Sequence, residues 1–199
     1  MIPDPIHLWT CQHPAVWELL KSGGTYRTAE RLAAPYFFGD NGQPDAAFEM
    51  SYDWISGQLA KRSPRPNPNL RWPVWADWSR GPEGPGRPDL RRVRPIKPGV
   101  MLELQISSQR VLLNDGMGWY SQLNQTWNGR GHDKYFDAID AMGPSDVRAR
   151  RRLEQRMKKT WRRSLAVNPA RYTEAVFWEL RPEDVVRHWH YKGWPATKY

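Results

Sequence analysis

The stretch Leu70-Arg71-Trp72-Pro73-Val74-Trp75-Ala76-Asp77-Trp78 decides how the rest of this chain is read. It packs three tryptophans into seven residues, with one arginine and one aspartate around them. The Pro-rich run Ser63–Pro68 precedes it and the Gly/Pro-rich run Gly81–Pro88 follows, so it is an isolated short element. Valine and tryptophan favour strands, and the length suits one. Alternation then puts Trp72, Val74, Ala76 and Trp78 on one face and Trp75 with Asp77 on the other. Two readings follow. The indoles fill a core, or the Trp75 indole beside the Asp77 carboxylate receives a cationic or planar ligand.

Upstream, Ile6–Thr10 reads as an opening strand, and Pro14 suits the first turn of a helix that runs through Val16–Leu20 and closes at Gly23-Gly24. Thr28 is placed to cap a short helix ending before Pro35. Asp45 is placed to cap a longer helix whose Phe48, Tyr52, Ile55 and Leu59 form an apolar stripe. Downstream, Val100, Leu102, Leu104 and Ile106 alternate with Met101, Glu103 and Gln105, the pattern of a half-buried strand. Val111–Leu113 is a short strand. Asn114 or Asp115 begins a helix with Trp119 and Leu123, and another spans Asp133–Met142. Ser145 caps a basic amphipathic helix with Ala149, Leu153, Met157 and Trp161 in line. Thr173–Leu180 is a strand, and Val185–Tyr191 a terminal one.

The 199 residues fit one domain, 1–199, with Pro/Gly-rich loops at 63–69 and 79–99. Alternating strands and helices of this kind predict an α+β fold: a small, mostly antiparallel sheet, split or continuous, flanked by helices. No apolar run approaches the roughly 20 residues that span a bilayer. The first residues lack a signal peptide's basic and apolar regions, so the expected setting is cytoplasmic. One cysteine excludes an internal disulfide and a structural zinc site built on thiolates. Cys11 is expected to be a buried, inert thiol rather than the partner of His13.

A net charge of +9 points to a nucleic acid or another polyanion. Two clusters hold much of it. Arg87–Lys97 lies by a loop and suits an anion. Arg148–Arg163 is a helix face that either tracks phosphates or is simply solvated. His188 and His190 share a strand face and, with Asp184 and His132, could ligate a metal; two surface histidines is the plainer reading. Glu179, flanked by apolar residues on a strand, is either paired or used on the inner face, or the strand lies near an edge and Glu179 points to solvent or an arginine.

In order along the chain stand Leu8-Trp9-Thr10 with Trp17 and Gly24, Tyr52-Asp53-Trp54, and Pro73-Val74-Trp75-Ala76. Then come Pro88-Asp89-Leu90-Arg91, Leu102-Glu103-Leu104 before Val111–Asp115, Trp119 with Leu123-Asn124, Trp161, and Ala175–Leu180. This set resembles a bacterial domain-of-unknown-function family, number 3841, over nearly the whole chain. It departs in its longer Pro/Gly loops and in Asn114 where serine is expected. The element order is also similar to the ADP-ribosyltransferase fold, its DNA-modifying toxin branch in particular. That resemblance implies an NAD-dependent transferase acting on nucleic acid or protein. It implies that Thr10 ends the strand that grips NAD, that Tyr52 and Trp75 stack on it beside Asp77, that Arg91 holds its pyrophosphate, and that Glu179 assists glycosidic cleavage. In that fold a histidine or arginine stands where this chain has Leu8, and the glutamate falls nearer Val176. The alternative is a non-catalytic module binding nucleic acid or protein through the basic helix and the Arg-rich loop.

Overall fold

The computed structural model describes residues 2–28, 46–82, 84–89 and 97–193. The chain opens with β1 (Ile6–Gln12) followed by α1 (Pro14–Lys21). Pro14 opens α1 where its missing N–H costs nothing, and the His13 side chain accepts from the Ala15 N–H as the cap. The helix ends because Gly23 takes φ +83°, a left-handed conformation open to glycine. α2 (Ala46–Arg62) buries Ile55 and Leu59 as its spacing predicts. The expected Asp45 cap and the short helix before Pro35 lie outside the described residues; Thr28 itself donates to the Pro73 carbonyl at 3.0 Å.

The tryptophan stretch becomes β2 (Val74–Arg80). Val74, Ala76 and Trp78 face one core, while Trp75 packs on the opposite side, as alternation requires. Trp72 is the exception: it precedes the strand and packs with Phe48 and Tyr52. The remaining elements are β3 (Gly99–Ile106), β4 (Leu112–Asp115), α3 (Gly116–Leu123), α4 (His132–Asp140), α5 (Val147–Trp161), β5 (Tyr172–Phe177) and β6 (Val185–Tyr191). Asp115, not Asn114, caps α3, accepting from the Gly118 N–H at 2.8 Å. Asp146, not Ser145, sits at the cap position of α5, and Ala149 is exposed rather than part of its apolar stripe.

The six strands form one sheet in the order β4-β5-β2-β1-β3-β6, and each neighbouring pair is antiparallel. The expected α+β class, an antiparallel sheet flanked by helices, is what the chain adopts. The sheet is continuous, but its narrowest seam is β1–β2, where one register pair, Trp9 with Asp77, joins the strands. The Thr10 hydroxyl reinforces that seam by donating to the Trp75 carbonyl at 2.8 Å. β3 differs from the expected half-buried strand: Met101, on its second face, is 1% exposed. β6 covers that edge of the sheet.

Helices pack on both sides. One face, with Leu8, Ala76, Leu102 and Phe177, lies under Val16 and Leu20 of α1. On the other, Trp75 and Val176 lie under Ile55 and Leu59 of α2 and Trp119 of α3. A separate cluster of Tyr135, Met157 and Trp161 holds α4 to α5, with Trp54 packed against it. A strand that meets core on both sides is expected to be apolar at every position, and β2 and β5 depart from this at Asp77 and Ser79 and at Thr173 and Glu174.

Candidate active site

Asp77 and Glu174 belong to a row of residues running sideways across all six strands. Register pairs Asn114 with Glu174, Glu174 with Asp77, Asp77 with Trp9, Trp9 with Glu103, and Glu103 with Arg187. Paired residues on adjacent strands point to the same face, so Glu174 and Asp77 are neighbouring carboxylates. A β-bulge follows Asp77, between it and Ser79, and brings Arg80 opposite Tyr172.

Three further contacts define the chemistry. The Tyr172 hydroxyl donates to Glu174 Oε1 at 2.7 Å. The Arg80 guanidinium donates to Asp77 Oδ2 at 2.6 Å and lies 5.5 Å from the centre of the Tyr172 ring. Glu174 Oε2 is buried and has no hydrogen-bond partner among the described residues; nor has either amide atom of Asn114, which is fully buried.

These surroundings set the protonation states. Burial pushes the Glu174 carboxyl up, the Tyr172 hydrogen bond opposes this, Asp77 repels, and the balance is about 7. Burial also raises Asp77, which Arg80 partly offsets. Burial and the two carboxylates push the Tyr172 phenol up, so it stays a donor at neutral pH. A carboxyl that titrates near neutrality can take or give a proton, which is what general acid–base catalysis needs.

Arg80 and Tyr172 also line a cavity of about 580 Å³, closed on its other side by Gly81, Pro82, Gly84–Pro88 and Asp89. Its volume is that of a small-molecule site. Arg87 adds a second guanidinium, packed 5.1 Å from the Trp189 ring. The Gly/Pro loop expected from sequence is thus one wall of a pocket whose other wall leads to the carboxylates. Tyr172 is the link: it lines the cavity, and its hydroxyl is bonded to Glu174.

A scan against protein-family models matches a domain of unknown function, DUF3841, over residues 7–186. The chain belongs to the DUF3841 family. No curated protein and no solved structure matches it.

The site residues expected from sequence are distributed as follows in this DUF3841 domain. Tyr52, Trp75 and Trp119 form one aromatic cluster, with ring centres 4.6–5.7 Å apart. Asp77 is one step along the same face as Trp75, and Thr10 fastens the backbone beneath it. Arg91 lies outside the described residues. Glu179 does not join the others. β5 stops at Phe177, so Glu179 is beyond the strand rather than on it. Five residues at about 3.3 Å each separate it along the chain from Glu174, some 17 Å if extended.

Glu179 is also fully engaged. Arg27 reaches Oε2 at 2.7 Å and Arg181 reaches Oε1 at 2.6 Å. Burial alone would raise its carboxyl; the hydrogen bonds from Arg181 and Arg27 outweigh that and hold it below the ordinary glutamate range. Arg110 completes the cluster by bonding Asp184 at 2.6 Å and the Glu179 carbonyl at 3.0 Å.

The other candidates fall away on geometry. His188 stacks on Trp17 at 4.2 Å, Asp184 belongs to Arg110, and no metal-sized cluster of His, Cys, Asp and Glu exists among the described residues. Cys11 is exposed, not buried as expected, although crowding raises its thiol and Tyr191 hydrogen-bonds to it. Among the described residues no helix is long and apolar enough to cross a membrane.

Sequence reasoning singles out Glu179 and passes over Glu174, Tyr172, Arg80 and Asn114. The signal for Glu174 is present in the sequence: an acidic residue inside an apolar strand, the same argument that picks Glu179. What separates them is which end of β5 faces the bulge, and that depends on the pairing with β2.

Proposed function

We propose that this protein is an acid–base enzyme that transfers a group from an anionic, nucleotide-sized substrate, and that ADP-ribosyl transfer from NAD is its reaction. The observation that carries this reading is the Glu174–Tyr172 hydrogen bond at the wall of an arginine-bearing cavity, with Glu174 poised at about 7. Arg80 and Arg87 supply the positive charge a pyrophosphate requires. Tyr172 lines the cavity, and its hydroxyl, bonded to Glu174, relays a proton to that carboxylate. In the reaction the glycosidic bond to nicotinamide breaks and nicotinamide leaves with the bonding pair. The acceptor's nucleophilic atom bonds to the ribose carbon, and its proton passes through Tyr172 to Glu174. The similarity of element order to ADP-ribosyltransferases supports the reaction class. The geometry supports Glu174, rather than Glu179, as the working carboxylate, because both oxygens of Glu179 are held by arginines.

Thermal unfolding with and without millimolar NAD tests the substrate. A ligand at about 100 times its dissociation constant stabilises by about 2.7 kcal/mol, several degrees in a domain of this size. We expect Arg80→Ala to lose that shift. We expect Glu174→Gln to keep it while losing nicotinamide release, and Glu179→Gln to keep both. Absence of any shift in the wild-type protein would reject NAD; turnover surviving in Glu174→Gln would reject the role of Glu174.

A further inference from the structure

Among the described residues the outer face of α5 holds the largest concentration of charge. Between Val147 and Arg163 the chain carries nine Lys or Arg residues and one glutamate, against a net charge of +9 for the whole protein. At about 100° per residue, Arg148, Arg151, Arg152, Arg156, Lys159 and Arg162 project within one broad stripe. Leu153, Met157 and Trp161 project on the opposite side and are packed against α4 and Trp54. All six stripe residues are exposed, Arg162 in the turn that follows α5 and the others on the helix itself. None of the six forms an ion pair with a described residue.

This arrangement has a cost that packing does not explain. Arg148/Arg152 and Arg152/Arg156 are like charges four apart, which weakens a helix. A solvated helix is better served by mixed charges, and charged residues elsewhere in the molecule are answered, as Glu49 and Asp53 of α2 are by Arg71 of the segment before β2. The stripe is therefore built for a polyanion outside the chain.

We propose that the α5 stripe is a binding surface for the phosphate backbone of a nucleic acid. The stripe is about 21 Å long, since Arg148 to Arg162 spans fourteen residues at 1.5 Å each. A duplex presents one phosphate charge per about 1.7 Å of axis, so that length offers more than one phosphate for each cation. The majority of the stripe is arginine, whose planar fork suits phosphate. A membrane surface fits less well. A basic amphipathic helix binds lipid by inserting its apolar face, and the apolar face of α5 is already buried in the protein. The stripe is distinct from the cavity at Arg80 and Tyr172, and the inference stands whether or not that cavity holds NAD. The two are connected in the chain: ten residues lead from Arg162 to Tyr172.

The test is fluorescence anisotropy with a 30-base-pair DNA duplex and a 20-base single strand, each across 50–300 mM KCl. Each phosphate contact contributes about 0.9 to the slope of log affinity against log salt for a duplex, so full use of the six cations gives a slope near −5. The variant Arg148→Gln, Arg152→Gln, Lys159→Gln should flatten that slope by about 3 and weaken binding at least tenfold at 100 mM salt. A control with the same loss of charge elsewhere, Lys21→Gln, Lys61→Gln, Lys192→Gln, should stay within about twofold of wild type. The stripe variant should melt no lower than wild type, because it relieves like-charge pairs; single replacements, with slope changes that add, give the same reading if the triple variant misfolds. The duplex and the single strand differ in slope and so identify which form the stripe prefers. Equal weakening by both triple variants would overturn the proposal, since net charge alone would then account for binding. So would absence of binding to both oligonucleotides at 50 mM salt, or binding only to vesicles containing 30% phosphatidylserine.

Discussion

Replacing Glu174 with glutamine should make the protein more stable at alkaline pH and leave it nearly unchanged at acid pH. The Glu174 carboxyl moves from an ordinary value of 4.5 to about 7 on folding. The folded state therefore holds this proton more tightly than the unfolded chain. The stabilisation from that proton is fully present below pH 4.5 and is lost as pH rises through 7. A tenfold difference in proton affinity between the folded and unfolded chain is worth about 1.4 kcal/mol, so the whole effect is about 3 kcal/mol, of which about 2.5 falls between pH 5 and pH 8. Glutamine keeps the acceptor for Tyr172 and the side-chain volume, and it cannot ionise. Urea unfolding of wild type and Glu174→Gln at pH 5 and pH 8 measures the difference directly. With a slope near 2 kcal/mol per molar urea, the variant's midpoint should gain about 1 M over wild type on going from pH 5 to pH 8. Asp77 is raised in the same direction, so some pH dependence survives in the variant. If the two proteins differ by the same amount at both pH values, Glu174 does not carry a raised pKa, and the argument that makes it an acid–base group fails with it.

Glu179→Ala should act in the opposite way, costing about 1–3 kcal/mol at neutral pH by leaving Arg27 and Arg181 without their shared anion; because the folded carboxyl is lowered, wild type should lose that advantage as pH falls below the ordinary glutamate range, as urea unfolding at pH 3.5 and 7 would record. Gly99→Ala should cost about 1–3 kcal/mol, since the new Cβ would land on the Tyr191 hydroxyl and lie 2.9 Å from the Gln12 carbonyl; an unchanged unfolding midpoint would mean that Tyr191 does not close over β3. Trp119→Ala should cost about 3–5 kcal/mol and broaden the unfolding transition, because its ring is 7% exposed and holds Trp75 and Tyr52 in one cluster.

The elements are legible in the sequence because their signals are local. Pro14, Gly23 and the alternation of Val100–Ile106 each fix a backbone state within a few residues, and α1 and β3 form where those signals stand. The strand order is not legible. β3 and β4 follow one another in the chain with only a turn between them, yet they lie at different places in the sheet: β4 pairs with β5 and β3 with β1 and β6. No local pattern records that choice; it is made by which apolar faces can be covered at once. The site inherits this. Asp77 stands out in the sequence because it shares a face with Trp75, a two-residue relation. Glu174 becomes visible only when β5 pairs with β2 and brings it opposite Asp77, a relation across 97 residues. Alternation misplaces Trp72 for the reverse reason: Pro73 donates no backbone hydrogen bond, and pairing begins only after it.

The fold holds two carboxylates, buried Glu179 and half-buried Glu174, in contrasting ways. At Glu179 each charge is answered: two guanidiniums meet two oxygens, and the neighbouring Arg110–Asp184 pair is bidentate. Such a group is held in its charged state and has nothing left to offer a substrate. At Glu174 the accounts stay open. A second carboxylate stands opposite, Oε2 has no partner among the described residues, and the amide of Asn114 on the next strand is equally unmatched while fully buried. A buried polar group without a partner costs about 1–3 kcal/mol, and apolar residues of similar size would remove that cost at both positions. The surrounding strands are apolar enough to show that such residues fit: Val176 and Trp75 occupy the next positions on the same face. The row of Asp77 and Glu174 is adjacent to the end of β2 and β5 where Arg80 and Tyr172 line the cavity. Other buried polar atoms, Ser56 Oγ and Gln122 Oε1 among them, also lack a partner among the described residues, so an open oxygen alone does not single out Glu174; its hydrogen bond to Tyr172, which lines the cavity, does, and that is the physical reason for proposing Glu174 as the working carboxylate.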